Sequence, residues 1–135
     1  MGRQDGARTL ARLMGWFYLF TGVWPLLHIR SFERVTGPKT DRWLVKTVGA
    51  LVSATGITLL LAARKERVPT EVAALAMGNA ASLAAIDVVY VAKKRIRPVY
   101  LLDAVAEIAL LAAWARAMLG RADAGGDDWM AGSPE

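Results

Sequence analysis

The sequence predicts an all-α integral membrane protein, a four-helix up-down bundle with four transmembrane helices. Three observations predict it. Apolar stretches at 12–28, 43–63, 70–92 and 99–119 fill most of the 135 residues. Cations gather in the gaps between them: Arg30, Arg34, Lys39 and Arg42, then Arg64, Lys65 and Arg67, then Lys93, Lys94, Arg95 and Arg97. Finally, 13–27 and 47–63 contain no charge at all, so they lack the polar face that a soluble amphipathic helix presents to water. A chain that is 55% hydrophobic and 21% charged can satisfy both groups by this segregation, with Lys and Arg meeting lipid headgroups where helices leave the hydrocarbon.

A helix needs about 20 residues to cross a hydrocarbon core. The first stretch is the shortest, and Arg12 and His28 can snorkel from its ends. Trp16, Phe17, Tyr18, Phe20 and Trp24 make it the bulkiest, and Pro25 kinks or ends it. Its cationic start mimics a signal peptide but has no small-x-small cleavage site, so it is expected to stay as the first helix. Gly6 stands where N-myristoylation requires Ser or Thr. The second stretch begins near Thr40 or Asp41 as N-caps and stops at the Arg64–Lys65–Glu66–Arg67 cluster. The third opens after Pro69, with Glu71 at the positive end of the helix dipole. The fourth follows Pro98 and ends before Gly120. Residues 1–121 form one domain, and 122–135 read as a polar, disordered tail.

Composition removes several function classes. Without cysteine the chain has no disulfide, thiolate metal site or internal redox pair. His28 is the sole histidine, which argues against a metal centre, and no cofactor is expected. The pI near 10 follows from basic loops at a bilayer; no aromatic-interleaved basic surface points to nucleic acid. The expected partners are the lipid bilayer, through anionic headgroups, and a second copy of the chain. The expected location is a cell membrane, the bacterial inner membrane. Cations divide nine to eight between the two faces, so the positive-inside rule does not choose an orientation.

Up-down connectivity brings the end of helix 1, the start of helix 2, the end of helix 3 and the start of helix 4 to one side. His28, Lys46, Asp87, Tyr90, Asp103 and Glu107 all fall in that leaflet, with Glu107 about 12–15 Å deep. Asp103, Glu107 and Trp114 share a stripe of helix 4. In helix 3, Asn79, Leu83, Ile86 and Tyr90 share a face, with Asp87 at its flank. Lys46, Gly49, Ser53 and Gly56 make a polar and small seam on helix 2, and Tyr18, Thr21, Pro25 and His28 recur alike on helix 1. Intramembrane acids are costly and mark sites by default, so these stripes should face one another. The candidate pocket is Asp87, Asp103, Glu107, Tyr90, Lys46, His28 and Asn79, walled by Trp24, Trp43 and Trp114; no catalytic residue is assigned. Three acids against Lys46, aided by His28 or Arg95, is uneven, which makes the deepest, Glu107, the first candidate to carry a proton. Ala74, Gly78 and Ser82 form a ridge suited to close helix contact within one bundle or between protomers.

The arrangement resembles sterol-isomerase-like and sigma-2-receptor-like membrane proteins, whose acids line a pocket inside the bilayer, with Asp87, Asp103 and Glu107 as the acids here. The likeness covers architecture and aligns no motif. Small multidrug transporters are similar in size and span number, but their essential acid lies in the first helix, which has none here. Three functions are expected to compete: binding or transport of a small apolar or cationic ligand, a structural or accessory subunit whose charges fix packing, and an intramembrane isomerase. No reaction signature favours an enzyme.

Overall fold

The computed structural model describes residues 3–38 and 40–131, with side chains over 6–38 and 40–121. Its elements are α1 (Arg3–Leu27), α2 (Ile29–Thr36), α3 (Arg42–Ala62), α4 (Thr70–Ala92) and α5 (Tyr100–Ala131). The protein is all-α among the described residues. Three helices are long and apolar enough to cross a membrane: α1 over Gly6–Leu27, α3 and α4. The helix α5 falls outside that group because Asp103, Glu107 and Arg116 interrupt its apolar stretch.

Neighbouring long helices run antiparallel. The tightest contact is α1 on α3, and it depends on glycine. A Cβ on Gly22 would sit 2.6 Å from the Gly49 carbonyl oxygen, and one on Gly56 only 2.7 Å from the Leu19 amide nitrogen. The two backbones therefore touch where a side chain cannot fit, which is how helices gain dispersion contact when lipid offers no hydrophobic drive. Of the expected Lys46–Gly49–Ser53–Gly56 seam, Gly49, Ser53 and Gly56 are buried in this contact, whereas Lys46 is exposed. Ser53 returns its hydroxyl to the Gly49 carbonyl at 2.7 Å, so the seam exposes no unpaired donor.

The second close pair is α4 with α5, and α1 joins the pairs by also packing on α5. Contact between α3 and α4 is sparse, so this side is the thinnest wall. The core holds Met14, Tyr18, Leu59, Val68 and Trp114, filled between helices by Ala7, Ala11, Ala73, Ala76 and Ala80. At one end, Arg8 donates to the Ala63 carbonyl at 3.1 Å and Arg121 to the Val68 carbonyl at 2.7 Å. These two arginines tie the α3–α4 connection to the flanking helices.

Several sequence expectations shift. The first helix begins earlier, at Arg3. Pro25, expected to kink or end it, lies inside the helix, which runs two residues further to Leu27; the chain then resumes helix after one residue. The new element, α2, puts Ile29, Phe32 and Val35 between Arg30, Glu33 and Arg34. His28 caps it by accepting the Ser31 amide at Nδ1, 3.1 Å away. Asp41 precedes α3 without a side-chain cap bond. The fourth helix, expected to end before Gly120, runs on as α5 to Ala131, and 132–135 of the expected polar tail lie outside the described residues. On α4 the buried stripe is Ala73, Ala76, Ala80, Ala84 and Asp87 rather than the Asn79–Tyr90 face. The smallest side chains allow the closest approach to α5. The Ala74–Gly78–Ser82 ridge lies outside, and a Cβ on Gly78 would meet nothing within 4 Å.

Candidate functional site

Buried polar side chains converge where α1, α4 and α5 meet. Glu107 is 1% exposed and Asp87 5%, while Asp103 is half-buried. The Tyr18 hydroxyl crosses from α1 and donates to Glu107 Oε2 at 2.7 Å. Across the α4–α5 contact, the carboxyls of Asp87 and Asp103 are neighbours, and both lie near Glu107. Asp87 Oδ2 is buried and receives no hydrogen bond from the described residues. Two carboxyls side by side are both acceptors; only a proton or another cation between them turns the contact into an attractive one.

Helix geometry explains why these four groups meet. Tyr18 lies nine residues before the end of α1, and Glu107 seven residues into α5, so antiparallel packing brings them to one depth. A tyrosine hydroxyl in an apolar interior needs an acceptor, and Glu107 supplies it. The sequence placed Tyr18 on the polar stripe of helix 1 but left it out of the site. Comparing depths from the shared loop face would have found it.

The other expected members scatter. Lys46 is exposed because α1 has ended opposite it: Pro25 already packs against Gly49, one turn deeper in α3. Trp43, one turn further out, is 69% exposed. Tyr90 is 41% exposed and carries the Lys93 ammonium 5.6 Å from its ring centroid; continuing the buried stripe of α4 from Asp87 reaches Val91 instead. His28 is exposed and serves as the cap of α2. Trp24 donates to Ser31 Oγ at 2.8 Å and meets Phe32 edge-on, which anchors α2 rather than walls the acids. Asn79 donates to Thr55 Oγ1 at 3.1 Å and pins the sparse α3–α4 side, about 12 Å along the helix from Asp87. Trp114 is fully buried about 10 Å beyond Glu107, its indole N–H 3.1 Å from Met14 Sδ, so it fills the core.

The resulting cluster is acidic, with the cations expected nearby, Lys46, His28 and Arg95, all exposed. No group of three His, Cys, Asp or Glu side chains among the described residues is arranged to hold a metal ion. Cavities of about 430 and 370 Å³ lie elsewhere, lined by Arg30, Glu33, Arg34, Pro38, Arg42 and Arg97 and by Arg67, Thr70, Ala74, Met77, Met118 and Arg121. Glu107 and Asp87 are enclosed by packed side chains, and Asp103 is partly open. Comparison with protein-family models, with curated proteins and with solved structures returns no match for this chain.

Proposed function

We propose that the chain is a four-span protein of a cell membrane that binds a slender cationic amphiphile, a protonated amine on an apolar chain, at Asp87, Asp103 and Glu107. The membrane part of this reading draws support from the outer surface. Leu13, Trp16, Phe20, Leu51, Leu61, Leu75 and Ile86 are all exposed, an apolar expanse that water does not tolerate on a monomer. The fourth span is supported in the same way. Leu102, Val105, Ile108 and Leu119 of α5 face outward while Asp103 and Glu107 turn inward; Arg116, toward the far end of the expected span, is the exposed charge and can snorkel.

The ligand class rests on one observation: three acids and a phenol converge, while the cations expected to offset them, Lys46, His28 and Arg95, are all exposed. An ammonium group supplies both the charge and the donors that these acceptors require. Asp103, the most exposed acid and the nearest to the start of α5, is the entry point. The sparse α3–α4 side gives an alkyl chain a route between helices.

A diazirine-bearing decylammonium photolabel, with a decanoate twin as control, tests this in nanodiscs. Labelling on α4 and α5 near Asp103 is expected for the ammonium alone. The double change Asp87→Asn, Asp103→Asn should cut it about tenfold, since each removes a charge-assisted hydrogen bond. Equal labelling by both probes, or labelling indifferent to the double change, sinks the proposal. A structural role is the second reading, favoured by the closed Tyr18–Glu107 bond. Under it, Glu107→Gln lowers thermal stability and no ammonium-specific labelling occurs.

A further inference from the structure

The geometry points to a phosphate-binding pocket at the end of the bundle, formed by Arg30, Arg34, Arg42 and Arg97. It is separate from the acid cluster and does not depend on how that cluster works. The four arginines line one depression of about 430 Å³ together with Glu33 and Pro38. Among the described lining residues Glu33 is the single carboxylate, so these residues carry a net charge of +3, from four arginines less one glutamate.

Three features make this more than a crowd of surface cations. Glu33 is already engaged: Arg42 Nε reaches its Oε1 at 2.9 Å and Arg42 Nη2 its Oε2 at 3.0 Å. That two-pronged bond spends the carboxylate on orienting Arg42, not on neutralising the other three. Arg97 is also fixed. Its Nη1 donates to the Arg34 carbonyl at 3.3 Å, and its stem lies flat over Gly37. Any Cβ at Gly37 would stand 3.0 Å from Arg97 Nε, and the φ of +99° there is one that L side chains rarely adopt. Glycine thus both makes the turn and leaves room for the arginine. Lastly, Arg30 and Arg34 sit one turn apart on α2, whose attachment through Trp24, Ser31 and Phe32 holds them at this end of the bundle.

Arginine forks match the oxygens of a phosphate group better than any other anion-binding side chain. The pocket lies at the end where the chain meets a headgroup layer, so the phosphate comes either from an anionic lipid or from solution. Both sources present the same chemistry.

Thermophoresis of the full chain in detergent separates them, using short-chain dihexanoyl phosphatidic acid, dihexanoyl phosphatidylcholine and inorganic phosphate. Saturable binding of phosphatidic acid, or of inorganic phosphate, is expected, with the zwitterionic lipid much weaker. Arg34→Gln with Arg97→Gln should weaken it about tenfold or more, the loss of two charge-assisted bonds. The change Lys93→Gln with Lys94→Gln removes equal charge from the same face without touching the pocket and should cost about twofold or less. Binding of the lipid alone assigns a headgroup site; competition by inorganic phosphate assigns a soluble source. Equal losses in the two double variants, or no preference for either phosphate over phosphatidylcholine, overturns the assignment. Circular dichroism of each variant confirms that its helices persist.

Discussion

Gly56→Leu should separate α1 from α3 and destabilise the protein by about 3 kcal/mol, the upper part of the range for overpacking. The clash is with main chain, not with a movable side chain: the first carbon alone would lie 2.7 Å from the Leu19 nitrogen and 2.8 Å from the Gly15 carbonyl oxygen. No rotamer relieves that, so the helices must move apart and forfeit packing along their length. Gly78→Ala is the matched control on α4. Nothing lies within 4 Å of its Cβ position, so its effect should stay within about 0.5 kcal/mol, or stabilise slightly through helix propensity. Unfolding in mixed micelles of rising dodecyl sulfate content, followed by circular dichroism, reads both. Similar losses in the two variants would mean that the α1–α3 contact is not glycine-dependent.

Trp114→Ala is expected to cost about 3–5 kcal/mol in the same assay, the range for emptying a buried aromatic site. The indole is fully buried among Met14 and the alanine-rich faces of the neighbouring helices. Small residues there have no reach with which to fill the void. Lipid changes the reference for hydrophobic transfer, but a cavity still forfeits the dispersion attraction that the indole supplied. Trp16→Ala, at a position 60% exposed, should cost less than about 1 kcal/mol. A comparable cost at both sites would place Trp114 outside the core.

The contrast between these two tryptophans shows what was readable in advance and what was not. Apolar length and basic gaps predicted the long helices, and of the expected Lys46–Gly49–Ser53–Gly56 seam the three small residues are buried against α1 while Lys46 is exposed. Small residues specify a close approach wherever they occur, so that signal is local and strong. The third helix misled because Asn79 and Tyr90 drew attention to a polar face, whereas alanine made the contact and turned Asp87 inward with it. The acids themselves were legible: burial in an apolar interior is costly enough that they had to gather. Their surroundings were not. Whether Lys46 faced Asp87 or water depended on α1 ending at Leu27, shortly after Pro25 packs on Gly49, and that is a property of the partner helix. The short helix α2 was also missed, since eight residues between a proline and a glycine turn resemble a loop unless His28 is recognised as a cap.

The claim beneath all of this is that four long helices pass through a bilayer with their acids turned away from lipid. The chain has no cysteine, so single cysteines report their surroundings without background. Thr40→Cys, Arg64→Cys and Ile108→Cys, each labelled in sealed vesicles with a membrane-impermeant maleimide, test it most directly. Thr40 and Arg64 flank α3 at opposite ends, and Ile108 is 52% exposed on the outer face of α5. The account predicts that the first two react from opposite sides of the membrane, while Ile108→Cys stays unreactive until detergent strips the lipid. Labelling of Ile108→Cys at the rate of the loop positions, or of both loop positions from one side, would contradict it.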